Sequence, residues 1–230
     1  FSTLPEIIWR KPTNAPNKFM GSGMLPPGAY VTLEHEFILI LRKGGKREFK
    51  KDTEKSNRQE SSYFWEERNR WFSDIWDFKG IRQNANRTNL RDRNAAFPLE
   101  LAFRLVNMYS LQGDLVIDPF VGIGTTVFAC IACCRNSIGI DIDKEFISFI
   151  KSQAAADFHD RSNALILGRI KRHKEFVKKR ILEKKPVKYK NNPHGFRVMT
   201  KQETEIRLKK IVGIGQSEQN GITAFYEDWT

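Results

Sequence analysis

Asp118-Pro119-Phe120-Val121-Gly122-Ile123-Gly124-Thr125-Thr126 is the stretch on which the fold of this 230-residue chain turns. A short apolar run, Leu115-Val116-Ile117, leads into it and reads as a buried strand. A helical pattern leaves it, from about Thr125 to Cys134. Two glycines between a strand and a helix let the chain reverse sharply and let backbone amides come close to a ligand. The next strand, Ser137 to Ile140, ends in Asp141. A carboxylate there can reach ribose hydroxyls in nucleotide-binding α/β domains. Another helical pattern follows from Lys144 to Ala156. Ahead of the first strand, Pro98 opens a helix with Leu101, Leu105 and Met108 on one face and Phe103 and Val106 beside it, closed by the turn Gln112-Gly113-Asp114. Helix, strand, helix, strand, helix in this order predicts an α/β fold with a doubly wound parallel sheet.

The ligand of such a corner is narrowed by what the glycine turn lacks. A dinucleotide fingerprint, G-x-G-x-x-G, wants a third glycine where Val127 stands, and a phosphate-cradling loop wants a lysine that does not follow Gly124. An adenosine and ribose without pyrophosphate remain, which fits S-adenosylmethionine. The cofactor-binding candidates are therefore Asp118, Pro119, Phe120, Gly122, Gly124, Thr125, Thr126 and Asp141. The competing reading is an ordinary tight strand-to-helix turn, with the two threonines simply opening the helix.

The nonapeptide, followed by Ile138-Gly139-Ile140-Asp141, resembles the cofactor motif of amino-group DNA methyltransferases, which modify cytosine N4 or adenine N6. Ala96-Phe97-Pro98-Leu99-Glu100-Leu101 is similar to the segment that precedes that motif in the family, which implies that Phe97 and Pro98 help to enclose the methionine part of the cofactor. Its place before the glycine turn implies the permuted class, catalytic half first and cofactor half second. Glu6-Ile7-Ile8-Trp9-Arg10-Lys11-Pro12 and Glu34-His35-Glu36-Phe37-Ile38-Leu39-Ile40 look like late strands of the catalytic half. The resemblance covers about residues 4 to 156, with 44–93 matching by position only. It implies a Rossmann-like methyltransferase sheet with helices on both faces, and methyl transfer to an exocyclic amino nitrogen of double-stranded DNA. It also implies a prokaryotic-type cytoplasmic restriction-modification setting, with a cognate restriction endonuclease or a second methyltransferase chain as partner. The overall look leans to cytosine. One departure matters. The family carries an Asp/Ser/Asn-Pro-Pro-aromatic tetrapeptide that holds the target amine. Here the only Pro-Pro is Leu25-Pro26-Pro27-Gly28, so the catalytic residues are unassigned. Either the tetrapeptide lies upstream of Phe1, where the chain opens without Met, or the chain is inactive alone. A non-catalytic DNA-binding partner and an RNA methyltransferase are the alternatives.

The remaining sequence supports a polyanionic partner. Lys and Arg number 39 against 27 Asp and Glu, a formal charge of +12. Four regions are expected: 1–43, the remainder of the catalytic half; 44–93, target recognition; 94–160, the cofactor half; and 161–230, a basic extension. Within 44–93, Glu54 to Trp71 reads as helical and the rest as irregular, Trp65, Trp71 and Trp76 as mostly core, and Arg68, Arg70, Arg82 and Arg87 as DNA contacts. A basic helix is expected from Ser162 to Lys190, with Lys171 and Arg172 on phosphates. A strand is expected at Phe196–Met199 and a short helix at Gln202–Val212. The 3 cysteines, Cys130, Cys133 and Cys134, read as small thiols packed on a helix, and the four scattered histidines as structural or solvated. No metal is expected. No apolar run reaches the ~18 residues of a membrane span, so no membrane association is expected.

Overall fold

The computed structural model describes residues 1–12, 24–28, 34–80, 97–216 and 221–229. Arg82, Arg87 and Ala96 lie outside the described residues. The chain divides into two compact units, one of Phe1–Glu48 with Trp71–Arg82, the other of Phe49–Arg70 with Gln83–Thr230. These boundaries differ from the four regions read from the sequence: part of 44–93 falls in each unit, and its helical part shares a unit with the basic extension.

In the first unit, Ile7–Arg10 (β2) is central, antiparallel to His35–Ile38 (β3) and parallel to Ile75–Asp77 (β5). Ser2–Thr3 (β1) pairs with Leu41–Arg42 (β4). Alternation sends Ile7 and Trp9 inward, where Trp71 and Trp76 are also buried. Two of these buried indoles hold their N–H on backbone carbonyls: Trp9 donates to that of Phe78 at 2.9 Å and Trp76 to that of Trp71 at 3.0 Å. The expected continuous buried strand Glu36–Arg42 is instead broken at Leu39–Ile40, and Phe37 and Leu39 are exposed. The reason is a change of partner. The chain leaves β2 at Ile38 and pairs with the N-terminal segment, whose Leu4 amide donates to the Ile40 carbonyl at 2.9 Å.

In the second unit, the two parallel strands Leu115–Asp118 (β6) and Asn136–Gly139 (β7) pair with Ile117 opposite Ile138 and Asp118 opposite Gly139. Thr125–Ala132 (α4) joins them, after Asp52–Glu60 (α1), Trp65–Trp71 (α2) and Leu99–Tyr109 (α3). Lys144–Gln153 (α5) then runs through a π-helical turn, Ala154–Phe158, into His159–Leu182 (α6). Val121, Phe128, Ile131, Ile150, Ala154 and Phe158 form a core with Ile211, roofed by Ile214, Ile222, Ala224 and Tyr226. The last five come from an antiparallel hairpin, Lys209–Gln216 (β10) with Ile222–Asp228 (β11), preceded by a small pair, Tyr189–Lys190 (β8) with Arg197–Val198 (β9).

A second core gathers Phe64, Ile166, Ile170, Val198, Ile206 and Leu208. Buried polar groups tie it down. Arg169 makes a two-pronged ion pair with Glu67 at 2.7 and 2.8 Å, both side chains almost fully buried. His173, fully buried, stacks on Phe64 and is held between Glu66 and the Arg197 carbonyl at 2.8 Å each. Cys130 and Cys133 are buried and Cys134 half-buried, and burial pushes the thiols of Cys130 and Cys134 up to about 12. They are packed thiols rather than reactive ones.

Four expectations need correction here. The helical stretch read over Glu54–Trp71 is two helices, because Glu67 accepts the Phe64 amide and Glu203 the Trp65 amide, starting a new helix at Trp65. On α3 the buried residues are Leu101, Ala102, Phe103, Arg104, Val106 and Asn107, with Leu105 and Met108 only partly buried; Asn107 turns inward to bond Cys133 Sγ. The basic helix stops at Leu182, where Lys184 turns left-handed and the Lys185 amide closes on the Arg180 carbonyl at 2.9 Å. Gln202–Val212 is a single 3₁₀ turn, Lys201–Glu203, followed by the start of β10. Glu203 caps that turn, and pairing with β11 takes the stretch from Lys209 onward.

Alternation puts Leu115, Ile117, Ile138 and Ile140 on one face of the β6–β7 ribbon, and all four are exposed. No helix among the described residues is long and apolar enough to cross a membrane.

Candidate cofactor site

The corner is built on two short backbone links. The Val121 amide donates to the Ile140 carbonyl at 2.9 Å and the Ile140 amide to the Asp118 carbonyl at 2.9 Å, so the ends of the two parallel strands are laced together. Beyond β6, Gly122 (φ +50) and Gly124 (φ +83) take left-handed conformations that carry the chain over into α4. Gly124 is also a close-packing position. A Cβ there would lie 2.6 Å from Ile150 Cγ1 of α5, inside the core. Gly139 does the same across the sheet, where a Cβ would lie 2.6 Å from Val121 Cγ2. The glycine turn, β7 and α5 are thus fitted directly against one another.

Asp141 joins the two turns. Its Oδ2 accepts the Gly122 amide at 2.9 Å and its Oδ1 the Asp143 amide at 3.0 Å. Hydrogen bonds from the amides of Asp143 and Gly122 hold its carboxyl below the usual carboxylate range, so it is ionised at neutral pH. Each oxygen accepts one backbone amide and keeps capacity for another donor. Asp143 caps α5 through the Glu145 amide at 2.9 Å, a role missed in the sequence although an Asp just ahead of a helical pattern signals it.

Of the residues singled out from sequence, Asp118, Gly122, Gly124, Thr125, Thr126 and Asp141 come together at this corner. Asp118 accepts the Phe120 amide at 3.0 Å, which turns Pro119 and Phe120 outward; Phe120 is 86 % exposed. Thr125 and Thr126 open α4, half-buried, with no side-chain partner among the described residues. Phe97 and Pro98 precede α3, whose first residue, Leu99, packs on the core containing Val121. Among the basic candidates, Arg70 lies 3.9 Å from Glu100, while Arg68 bonds Asn69; Lys171 and Arg172 are exposed on α6.

The chain is similar to known proteins over most of its length. A family model described as DNA methylase, covering N6 and N4 enzymes, matches residues 1–152. The type II methyltransferase M.MthZI of Methanothermobacter thermautotrophicus is 49% identical over 229 residues, 99% of this chain and 63% of its own length. M.MjaI of Methanocaldococcus jannaschii is 52% identical over 154 residues, 66% of this chain and 49% of its own length. This chain therefore spans between about half and under two thirds of these relatives. A solved structure of a provisionally assigned DNA modification methylase from Thermus thermophilus is 33% identical, with a TM-score of 0.51 over 66% of this chain and 55% of that one. With its strand–glycine turn–helix corner intact and its family model matching well over half of the sequence, the chain belongs to the N6/N4 DNA methylase family.

Proposed function

We propose that the corner binds S-adenosylmethionine and that the protein to which this chain belongs moves its methyl group to an exocyclic amino nitrogen of cytosine or adenine in double-stranded DNA, as the modification arm of a type II restriction system. The observation that carries the reading is the Asp141 carboxylate, ionised and bonded to the Gly122 amide beside two left-handed glycines.

The residues fit the cofactor by their chemistry. Asp141 retains acceptor capacity for ribose hydroxyls, Thr125 and Thr126 have hydroxyls with no partner among the described residues, and Gly122 and Gly124 carry the left-handed turn beside them. Exposed Phe120 supplies an apolar wall, and Phe97 and Pro98 a second. When bound, the cofactor supplies an electrophilic sulfonium methyl. The role of this chain's residues is then to fix that methyl in position, since proximity and orientation carry most of such a transfer. The target base must leave the stack, at a cost of a few kcal/mol. The group that receives it is not assigned to any residue here. Arg68, Arg70, Lys171 and Arg172 are the DNA-contact candidates within the described residues, and the cognate endonuclease is the partner such a system requires.

The test is calorimetric titration of S-adenosylmethionine into this chain, with Asp141→Ala beside it. Saturable binding to the wild type that weakens at least about tenfold in the variant, or about 1.4 kcal/mol, supports the reading. A folded wild-type chain with no heat of binding overturns the cofactor site.

A further inference from the structure

Residues beyond 152 lie outside the matched family segment, yet the identity to M.MthZI runs through 229 residues of this chain. The largest element there is α6, and its two sides differ. Its inner side is fixed by Ile166, Arg169, Ile170, His173 and Val177, all buried. Its outer side from 171 to 179 consists of Lys171, Arg172, Lys174, Glu175, Lys178 and Lys179, all exposed.

The cations of α6 fall into two groups. Arg161 pairs with Asp157, Arg169 with Glu67, and Arg180 lies over the Trp65 ring; Lys179 lies 4.0 Å from Glu183. Lys171, Arg172, Lys174 and Lys178 have no ion-pair partner among the described residues, even with Glu175 beside them. Four uncompensated cations on a rigid helix form a concentrated positive surface. From 171 to 178 the helix rises about 10 Å, at 1.5 Å per residue. A duplex strand places one phosphate per about 3.4 Å of axis, so this length faces about three.

We propose that the outward face of α6, Lys171, Arg172, Lys174 and Lys178, grips the phosphate backbone of double-stranded DNA over about three phosphates of one strand, adding affinity without sequence choice. The proposal rests on the reading of the protein as a DNA methylase. An anionic membrane fits less well. A helix lying on a bilayer turns an apolar face toward it, whereas the exposed side chains from Lys171 to Lys179 are all charged and the large exposed aliphatics of α6, Leu167, Ile181 and Leu182, lie only beyond the two ends of that stretch. Sequence reading from this face is also disfavoured, because flexible lysines on a backbone contact carry no base information. The buried Arg169–Glu67 pair and His173 hold the helix in place, so little ordering of the main chain is needed on binding.

The experiment compares the wild type with K171Q/R172Q/K174Q/K178Q by fluorescence anisotropy on a labelled duplex of about 30 base pairs, over salt from about 50 to 300 mM. The expected result is a log K against log salt slope flatter by about 2.7 in the variant, three phosphates at about 0.9 each. The loss should be the same on two duplexes of unrelated sequence. Equal slopes overturn the proposal, as do a loss confined to one sequence, no duplex binding by the wild type, or lost binding to phosphatidylserine vesicles with duplex binding unchanged. Titration of S-adenosylmethionine into both proteins separates the two readings. Its absence strikes the cofactor site, whereas unchanged cofactor binding with an unchanged slope strikes only this face.

Discussion

Gly124 opens α4 at φ +83 with a Cβ-sized gap closed by Ile150, while Gly113 has a similar φ, +80, and nothing within 4 Å of its Cβ position. The pair separates two costs that usually travel together. Gly113→Ala meets only the left-handed backbone penalty, about 1–2 kcal/mol. Gly124→Ala meets the same penalty plus overpacking against a buried isoleucine, about 1–3 kcal/mol more. Urea unfolding should therefore rank Gly124→Ala below Gly113→Ala, and equal losses would mean that α5 yields freely at Ile150. The need for glycine at 122 and 124 was readable from the sequence, since a strand-to-helix reversal tolerates little else. The partners of Asp141 were not. Its type and position pointed to ribose, and only folding shows both carboxylate oxygens also anchoring backbone amides of two separate turns. That double duty predicts that Asp141→Ala loosens the glycine turn as well as removing a ligand contact.

Elements with strong helical or alternating patterns, α3 to α5 and β6 to β7, fall within a few residues of their expected places, because local periodicity and the glycine punctuation determine them. Elements whose partners lie far away in sequence did not. Gln202–Val212 ended in strand from Lys209 because β11 offers a ladder, and Glu54–Trp71 split because Glu203, distant in sequence, caps Trp65. The hairpin is fastened at its end by His194, whose Nε2 accepts the Leu208 amide at 2.8 Å while Nδ1 faces the Trp229 carbonyl at 2.7 Å. These partners assign a neutral ring protonated at Nδ1. Burial pushes the His194 pKa below its ordinary 6.5, against the opposing effect of the Trp229 carbonyl. Since the folded pKa lies below the unfolded one, the unfolded chain binds the proton first as pH drops. Stability is full above about 6.5 and declines as pH falls toward the lowered folded value. The melting temperature of the wild type should fall more than that of His194→Gln between about pH 7 and pH 5, with the difference isolating this residue from other titrating groups. Parallel melting curves would show that the fastening is insensitive to protonation.

At the scale of the molecule, the two-stranded β6–β7 ribbon departs most from what its physics prefers. Parallel sheets are normally buried on both faces, because their strands are apolar throughout. Here one side is packed beneath α4 and the other presents Leu115, Ile117, Ile138 and Ile140, each about half exposed, with Ile142 fully so. Among the described residues β6 pairs only with β7, which leaves its outer edge unladdered as well. The chain corresponds to 63% of the length of M.MthZI, whose remaining length is ample for further strands and helices. An aliphatic face of this kind draws an environment-sensitive hydrophobic dye and promotes self-association. Ile117→Lys with Ile138→Glu, an opposite-charge pair across the register, should therefore lower dye fluorescence and shift sedimentation toward monomer. Because both side chains are already wet, the cost in unfolding free energy should stay within about 0.5 kcal/mol per site. A large destabilisation instead would mean that the face is buried in the chain as it exists in solution. The pairing of unchanged stability with reduced dye binding is thus the signature of a surface that folding of these residues leaves open.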